Sequence, residues 1–196
     1  MDFKFAQNGN HNVQIGNVEN MYLTQNRESL CSVGTEIDYT YYNLFVTDDS
    51  KFRPTPDKHS GTIFIPITKM LKIEYTAPSI SKQFMPLVPK NKICVKNFPS
   101  VFAAESKIID GYNEIDPEQS LYVGYVQDIN VKSEILEISF EAPLILYQTE
   151  LVKLSDALQL VKKPRYSELE DAHWAIKNVN LKKILQNAKI RKANIL

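Results

Sequence analysis

Residues 168–177 (ELEDAHWAIK) hold the densest set of chemically capable side chains in this 196-residue chain. Three carboxylates, one histidine and one lysine surround the only tryptophan. On a helix, His173 and Lys177 would lie one turn apart on a shared face. A histidine held by a carboxylate beside the face of Trp174 suits recognition of a nucleobase or another flat ligand, by hydrogen bonding and stacking. The same residues also have a structural reading, with Trp174 pinning its element to a sheet and His173 a satisfied, partly buried side chain. Tyr125, on a long strand upstream, joins His173, Trp174 and Lys177 as a candidate ligand contact.

A second constellation is acidic. Glu105, Asp110, Glu114, Asp116 and Glu118 could hold a divalent cation for a metal-dependent nuclease or phosphodiesterase. They surround Gly111 and Pro117, the composition of a solvated loop, and residues 121–130 carry no basic side chain to complete a nuclease-like site. No glycine loop ends in Lys-Ser/Thr, and there is no Gly-x-Ser-x-Gly elbow or His-Glu-x-x-His motif. His11, His59 and His173 lie in unlike contexts. The sequence therefore assigns no catalytic residue, no metal ligand and no cofactor, and it leans away from an enzyme.

Net charge is zero but segregated. Residues 51–98 carry nine basic and two acidic groups, residues 105–150 two basic and ten acidic, and residues 162–196 nine basic and three acidic. Such blocks compensate one another within a fold, pair between subunits, or attract a polyanion. The first basic block interleaves Phe52, Phe64, Tyr75, Phe84 and Phe98 with its cations, as single-strand nucleic-acid binders do, although a sheet core needs the same aromatics. The cysteines, Cys31 and Cys94, lack metal-ligand spacing and read as a reduced cytosolic pair. No apolar run approaches a membrane span and the N-terminus has no signal-peptide core, so the expectation is a cytoplasmic chain without a membrane partner.

The elements that must position these residues come as strands first and helices last. Residues 36–46 are rich in β-formers, residues 62–67 are short and apolar, and residues 70–76 alternate like a half-exposed strand. Pro78, Pro86 and Pro89 break the next stretch, leaving short extended pieces at 84–88 and 92–95. Residues 121–129 and 135–140 form an antiparallel hairpin, with Gly124 marking a bulge or a close backbone approach, and 144–147 suit a third strand. Helices follow at about 149–161, 168–177 and 181–190, the second opened by a Ser167/Glu170 capping box and the third by Asn180. The expected fold is α+β: an antiparallel β-rich sheet or small, partly open barrel, then C-terminal helices. Residues 98–105, the hairpin and residues 173–177 occur in an order similar to that of the small barrels of PUA and EVE type that bind modified bases. This resemblance implies a fold only.

Residues 7–20 (QNGNHNVQIGNVEN) stand apart. Asn8, Gly9 and Asn10 form a tight-turn signal, Val13 and Ile15 alternate with Gln14, and a second turn at Gly16 and Asn17 precedes Val18. This reads either as a polar tail or as an N-terminal β-hairpin over residues 1–26, ahead of a single α+β domain at 27–196. In the second case Asn10 and Asn12 could form amide ladders while Val13, Ile15 and Val18 pack, which favours pairing between copies. The segment resembles short Asn/Gly/Gln-rich segments of bacterial mobile-element and anti-phage defence proteins. That resemblance implies a bacterial or phage cytoplasmic protein that self-associates.

Together these features lead to an expected function. It is a non-catalytic, homo-oligomeric binding module for a nucleotide, nucleic acid or partner protein, plausible in defence or counter-defence. The alternatives are the metal-dependent nuclease or phosphodiesterase and a structural or regulatory subunit of a larger effector.

Overall fold

The computed structural model describes residues 36–196 apart from 56, 58, 107, 110–113, 164–165, 191–192 and 194–195. The expected hairpin over 1–26, with its assembly residues Asn10, Asn12, Val13, Ile15 and Val18, lies outside the described residues.

A long hairpin forms the centre. β7 (Ser120–Lys132) and β8 (Ile135–Tyr147) pair antiparallel over almost their whole length, so the separate strand expected at 144–147 is the end of β8. Gly124 sits where the register shifts, and a Cβ there would lie 2.0 Å from the Glu141 carbonyl oxygen. Only glycine allows that approach, which is the role its place in the strand suggested.

The sheet grows outward from the hairpin on both sides. β4 (Pro99–Ala104), β1 (Tyr42–Thr47) and β11 (His173–Lys177) follow β7; β3 (Ser60–Pro66) and β2 (Phe52–Thr55) follow β8. The result is one seven-stranded sheet of order β11-β1-β4-β7-β8-β3-β2, not closed into a barrel. It is mixed, because β1 and β4 run parallel while its other neighbours are antiparallel. Parallel neighbours need a crossover, and β2, β3 and two helices fill it. Two-residue strands make two small pairs apart from the main sheet, β5 (Ile108–Ile109) with β6 (Glu114–Ile115) and β9 (Lys162–Lys163) with β10 (Tyr166–Ser167).

The crossover helices, α1 (Pro78–Phe84) and α2 (Pro89–Lys96), occupy the stretch expected to be extended. In each the proline stands in the first turn, where its missing N–H costs nothing and its fixed φ suits a helix start. Residues 70–76 form turns with a single bridge at Met70, and their apolar alternation serves a covering loop. Cys94 is buried in α2.

The C-terminal part departs furthest from expectation. The helix expected at 149–161 is only α3 (Gln148–Val152), after which turns carry the chain to Gln159, whose φ is 56°. Leu151, Leu158 and Leu160 remain buried, so helical spacing reflected inward-facing leucines and not a continuous helix. Ser167 and Glu170 do form a capping box, but it opens a 3-10 turn at Glu168–Glu170. The helix expected at 168–177 does not exist: His173–Lys177 is the strand β11, paired with β1 from Tyr42↔Lys177 to Val46↔His173. Every residue of β11 is buried on both faces, which removes the alternation that would have marked a strand. α4 (Leu181–Asn187) starts where expected, the Asn180 side chain accepting from Lys183 N–H at 2.8 Å, but ends short of the expected 190.

Both faces of the β11-β1-β4-β7 region are covered. One face holds aliphatic side chains such as Leu44, Val101, Val123 and Ala175 beneath α3, α4 and the 158–160 turn. The other carries an aromatic row in which Trp174 stacks on Phe45 at 5.5 Å, Phe45 on Phe102 at 5.3 Å and Phe102 on Phe140 at 4.1 Å.

Candidate functional site

The strand register of β11 decides what its side chains can meet. Side chains alternate along a strand, so His173, Ala175 and Lys177 point to one face while Trp174 and Ile176 point to the other. The 3-10 turn after Ser167 folds Glu168 back onto the first of these faces. His173 Nε2 lies 3.0 Å from Glu168 Oε1, and Lys177 Nζ lies 2.8 Å from the same carboxylate. Glu168 and His173 are wholly buried and Lys177 is 4% exposed.

Each remaining polar atom of the cluster holds a piece of backbone. Val161 N–H donates to Glu168 Oε2 at 2.7 Å, Lys177 Nζ donates to Tyr75 O at 2.8 Å, and His173 Nδ1 lies 2.6 Å from Asp171 O. A carbonyl can only accept, so Nδ1 carries a proton. Nε2 then either accepts a proton held by the carboxyl or, in the imidazolium, donates as well. The Tyr75 ring covers the imidazole at 4.2 Å, and its hydroxyl donates to Asp171 Oδ2 at 2.9 Å. Lys69 Nζ completes the outer layer, 2.7 Å from Asp171 Oδ1.

Burial alone would raise the Glu168 pKa, but the His173 hydrogen bond and the Lys177 charge outweigh it and hold the carboxyl below its ordinary range. Burial lowers the Lys177 pKa, and Glu168 only partly offsets this. Asp171 is also held low: its burial is outweighed by hydrogen bonds from Lys69 and Tyr75. The polar atoms of the cluster are taken up by one another and by nearby backbone. Its geometry ties the 75, 161 and 171 backbone segments to the edge strand.

The structure brings His173 and Lys177 together through Glu168 and separates both from Trp174. Trp174 is fully buried in the aromatic row, its Nε1 donating to Asn43 Oδ1 at 3.3 Å. Tyr125 lies on β7 against the aliphatic core; its buried hydroxyl makes no hydrogen bond of good geometry among the described residues. Burial first, then the neighbouring Tyr39, pushes its pKa upward. Glu168, Asp171 and Lys69 carry no assigned role in the sequence reading, and Tyr75 enters it only as an aromatic of the basic block. Glu168 lies between the capping-box residues Ser167 and Glu170 in the acidic run before His173, but the helical reading pointed it elsewhere.

The acidic constellation disperses. Glu105 Oε1 accepts from Ala172 N–H at 2.8 Å, and Asp116 Oδ1 accepts from Glu118 N–H at 2.9 Å within its own turn. Asp110 and the side chain of Glu114 lie outside the described residues. Among the described residues no group of three His, Cys, Asp or Glu side chains is placed to hold a metal. Most aromatics of the basic block serve the core: Phe84 and Phe98 are fully buried, and Phe52 packs on Tyr122 and Phe140, while half-buried Phe64 lies beneath the Arg53 guanidinium at 5.4 Å.

Compared with family models, with curated proteins and with solved structures, the chain matches none. Its function is therefore argued from its own geometry. Among the described residues no helix is long and apolar enough to cross a membrane.

Proposed function

We propose that this protein is a non-catalytic, self-associating binding module whose ligand is a partner protein. One observation carries the reading: its densest ionisable cluster, Glu168, His173 and Lys177, is sealed from solvent and engaged in pairing its own backbone. A catalytic acid or base must come within hydrogen-bond reach of a substrate, and here the protein occupies those positions. A nucleotide or nucleic acid fits less well than a protein, because stacking needs an open aromatic face and Trp174 has none. Self-association is assigned to the sequence pattern of Val13, Ile15 and Val18 with Asn10 and Asn12. The resemblance of residues 7–20 to segments of bacterial defence proteins gives it a setting in defence or counter-defence.

Light scattering on the full chain tests this reading, beside a Val13→Asp/Ile15→Asp variant. The expected result is an oligomer that the double substitution dissociates, with no excess absorbance at 260 nm in either preparation. A full chain that stays monomeric at tens of micromolar overturns the assembly. A co-purifying nucleic acid overturns the choice of partner.

A further inference from the structure

One stretch of strand edge inside the sheet has no neighbour among the described residues. β3 pairs with β8 only as far as Ser60↔Glu141, whereas β7 runs beside β8 to Ser120↔Tyr147. The chain turns off at His59, which has a φ of 49° and whose carbonyl accepts from Ala142 N–H at 2.6 Å. Residues 143–147 are thus paired on one side only among the described residues.

Two hydrogen bonds fix which backbone groups face the open side. Gln148 N–H donates to Gln119 O at 2.8 Å, while Tyr147 N–H turns to the Glu150 carboxylate at 3.0 Å. Tyr147 therefore faces away from β7. Backbone groups alternate along an antiparallel strand, so Leu144 and Leu146 pair with β7 and Ile145 presents its N–H and C=O outward. The register shift between Glu141 and Leu144 accounts for Ala142 also facing that side.

A cleft of about 590 Å³ runs along this edge, walled by His59 and by Ala188, Lys189 and Ile190. The side chains of Ile145 and Tyr147, 38% and 52% exposed, stand at alternate positions beside it. Lys189 lies exposed at the rim, while the Glu150 carboxylate is committed to Tyr147 N–H. Among the described residues, the rim thus offers a cation without an ion pair, and the floor offers an unpaired backbone donor and acceptor.

We propose that this edge binds an extended acidic peptide as an added strand. The peptide backbone would pair with Ile145, its apolar side chains would lie on Ile145 and Tyr147, and a carboxylate would meet Lys189. The inference rests on the reading of the chain as a module for a protein partner and adds where that partner docks.

The probe is a labelled decapeptide alternating Glu and Val, with a Lys/Val decapeptide as control, titrated into the full chain by fluorescence anisotropy. Amide hydrogen exchange is read in parallel. In the free protein the Ile145 amide exchanges fast between protected Leu144 and Leu146, and the Glu/Val peptide slows it. Ile145→Pro weakens the peptide roughly tenfold without lowering the unfolding midpoint, since that N–H makes no bond to β7. Should Ile145→Pro not fold, the exchange pattern of the unaltered chain decides. An Ile145 amide already protected in the free protein overturns the proposal, as does equal binding of the Lys/Val peptide. Octanoate slowing that amide as strongly as the peptide does also overturns it, making the cleft a small-molecule site. A failed peptide beside an intact oligomer refutes the docking edge and leaves the assembly reading standing.

Discussion

The two outer edges of the sheet are protected in opposite ways. At β11 two outward backbone groups are met by the covering loop: Leu71 N–H donates to Trp174 O at 2.8 Å, and Ile176 N–H donates to Thr76 Oγ1 at 3.1 Å. The loop supplying those partners is held in turn by Lys177 on Tyr75 O and by Asp171 on Tyr75 and Lys69. At the other end β2 is four residues long, alternates half-buried with exposed, and carries Arg53 and Pro54. An exposed edge invites pairing with another chain, and a short strand with a charge and a proline discourages it. One edge is closed by covering it, at the cost of burying charge. The other has no neighbour among the described residues but is a poor template.

Substitutions can break this contrast, beginning with the covered edge. Glu168→Ala leaves Lys177 and His173 buried without their carboxylate. Removing one partner of a buried pair costs about 3–5 kcal/mol, read as a lower urea midpoint at unchanged slope. Protonation should weaken the same contact. The folded Glu168 pKa lies below its ordinary value of 4.5, so its contribution is complete above that value and is lost as pH falls through the folded pKa. Urea melts from pH 6 to pH 2 should show a loss of stability in acid that is smaller in Glu168→Gln. Asp171, shifted in the same direction, supplies part of the remainder.

Thr76→Val leaves Ile176 N–H without its partner on the buried edge, and the expected cost is about 1–3 kcal/mol in the same assay. Lys69→Met removes a half-exposed ion pair at the outer rim, where the loss should stay below about 1 kcal/mol and shrink with salt. At β2 the prediction concerns association more than stability. Pro54→Val restores an outward N–H, and the shift should be under about 1 kcal/mol. Sedimentation should instead detect new concentration-dependent self-association. If Pro54→Val stays as it was while Glu168→Ala is harmless, the contrast between the edges is wrong.

What was legible in the sequence and what was not follow the same division. Gly124, the long hairpin, the Asn180 cap and the Ser167/Glu170 box were readable because each depends on a few neighbouring residues. The helix expected over 168–177 failed because periodicity reports a face only when the opposite face is wet, and β11 is buried on both. Pro78 and Pro89 looked like breaks because a proline that ends one element is the same residue as one that starts the next. Residues 70–76 alternate as a strand would, yet they cap an edge whose existence depends on β11.

The sequence by itself determined a strand-rich α+β chain, its central hairpin, its helix caps and the clustering of Glu168, His173 and Lys177 within ten residues. Only the tertiary structure decided that this cluster is sealed, that Trp174 faces away from it, and that β8 outruns β3 to leave Ile145 unpaired. The reason is physical. Turns, caps and glycine approaches are settled by local sterics and hydrogen bonds, whereas burial and edge exposure depend on which distant strand lies alongside.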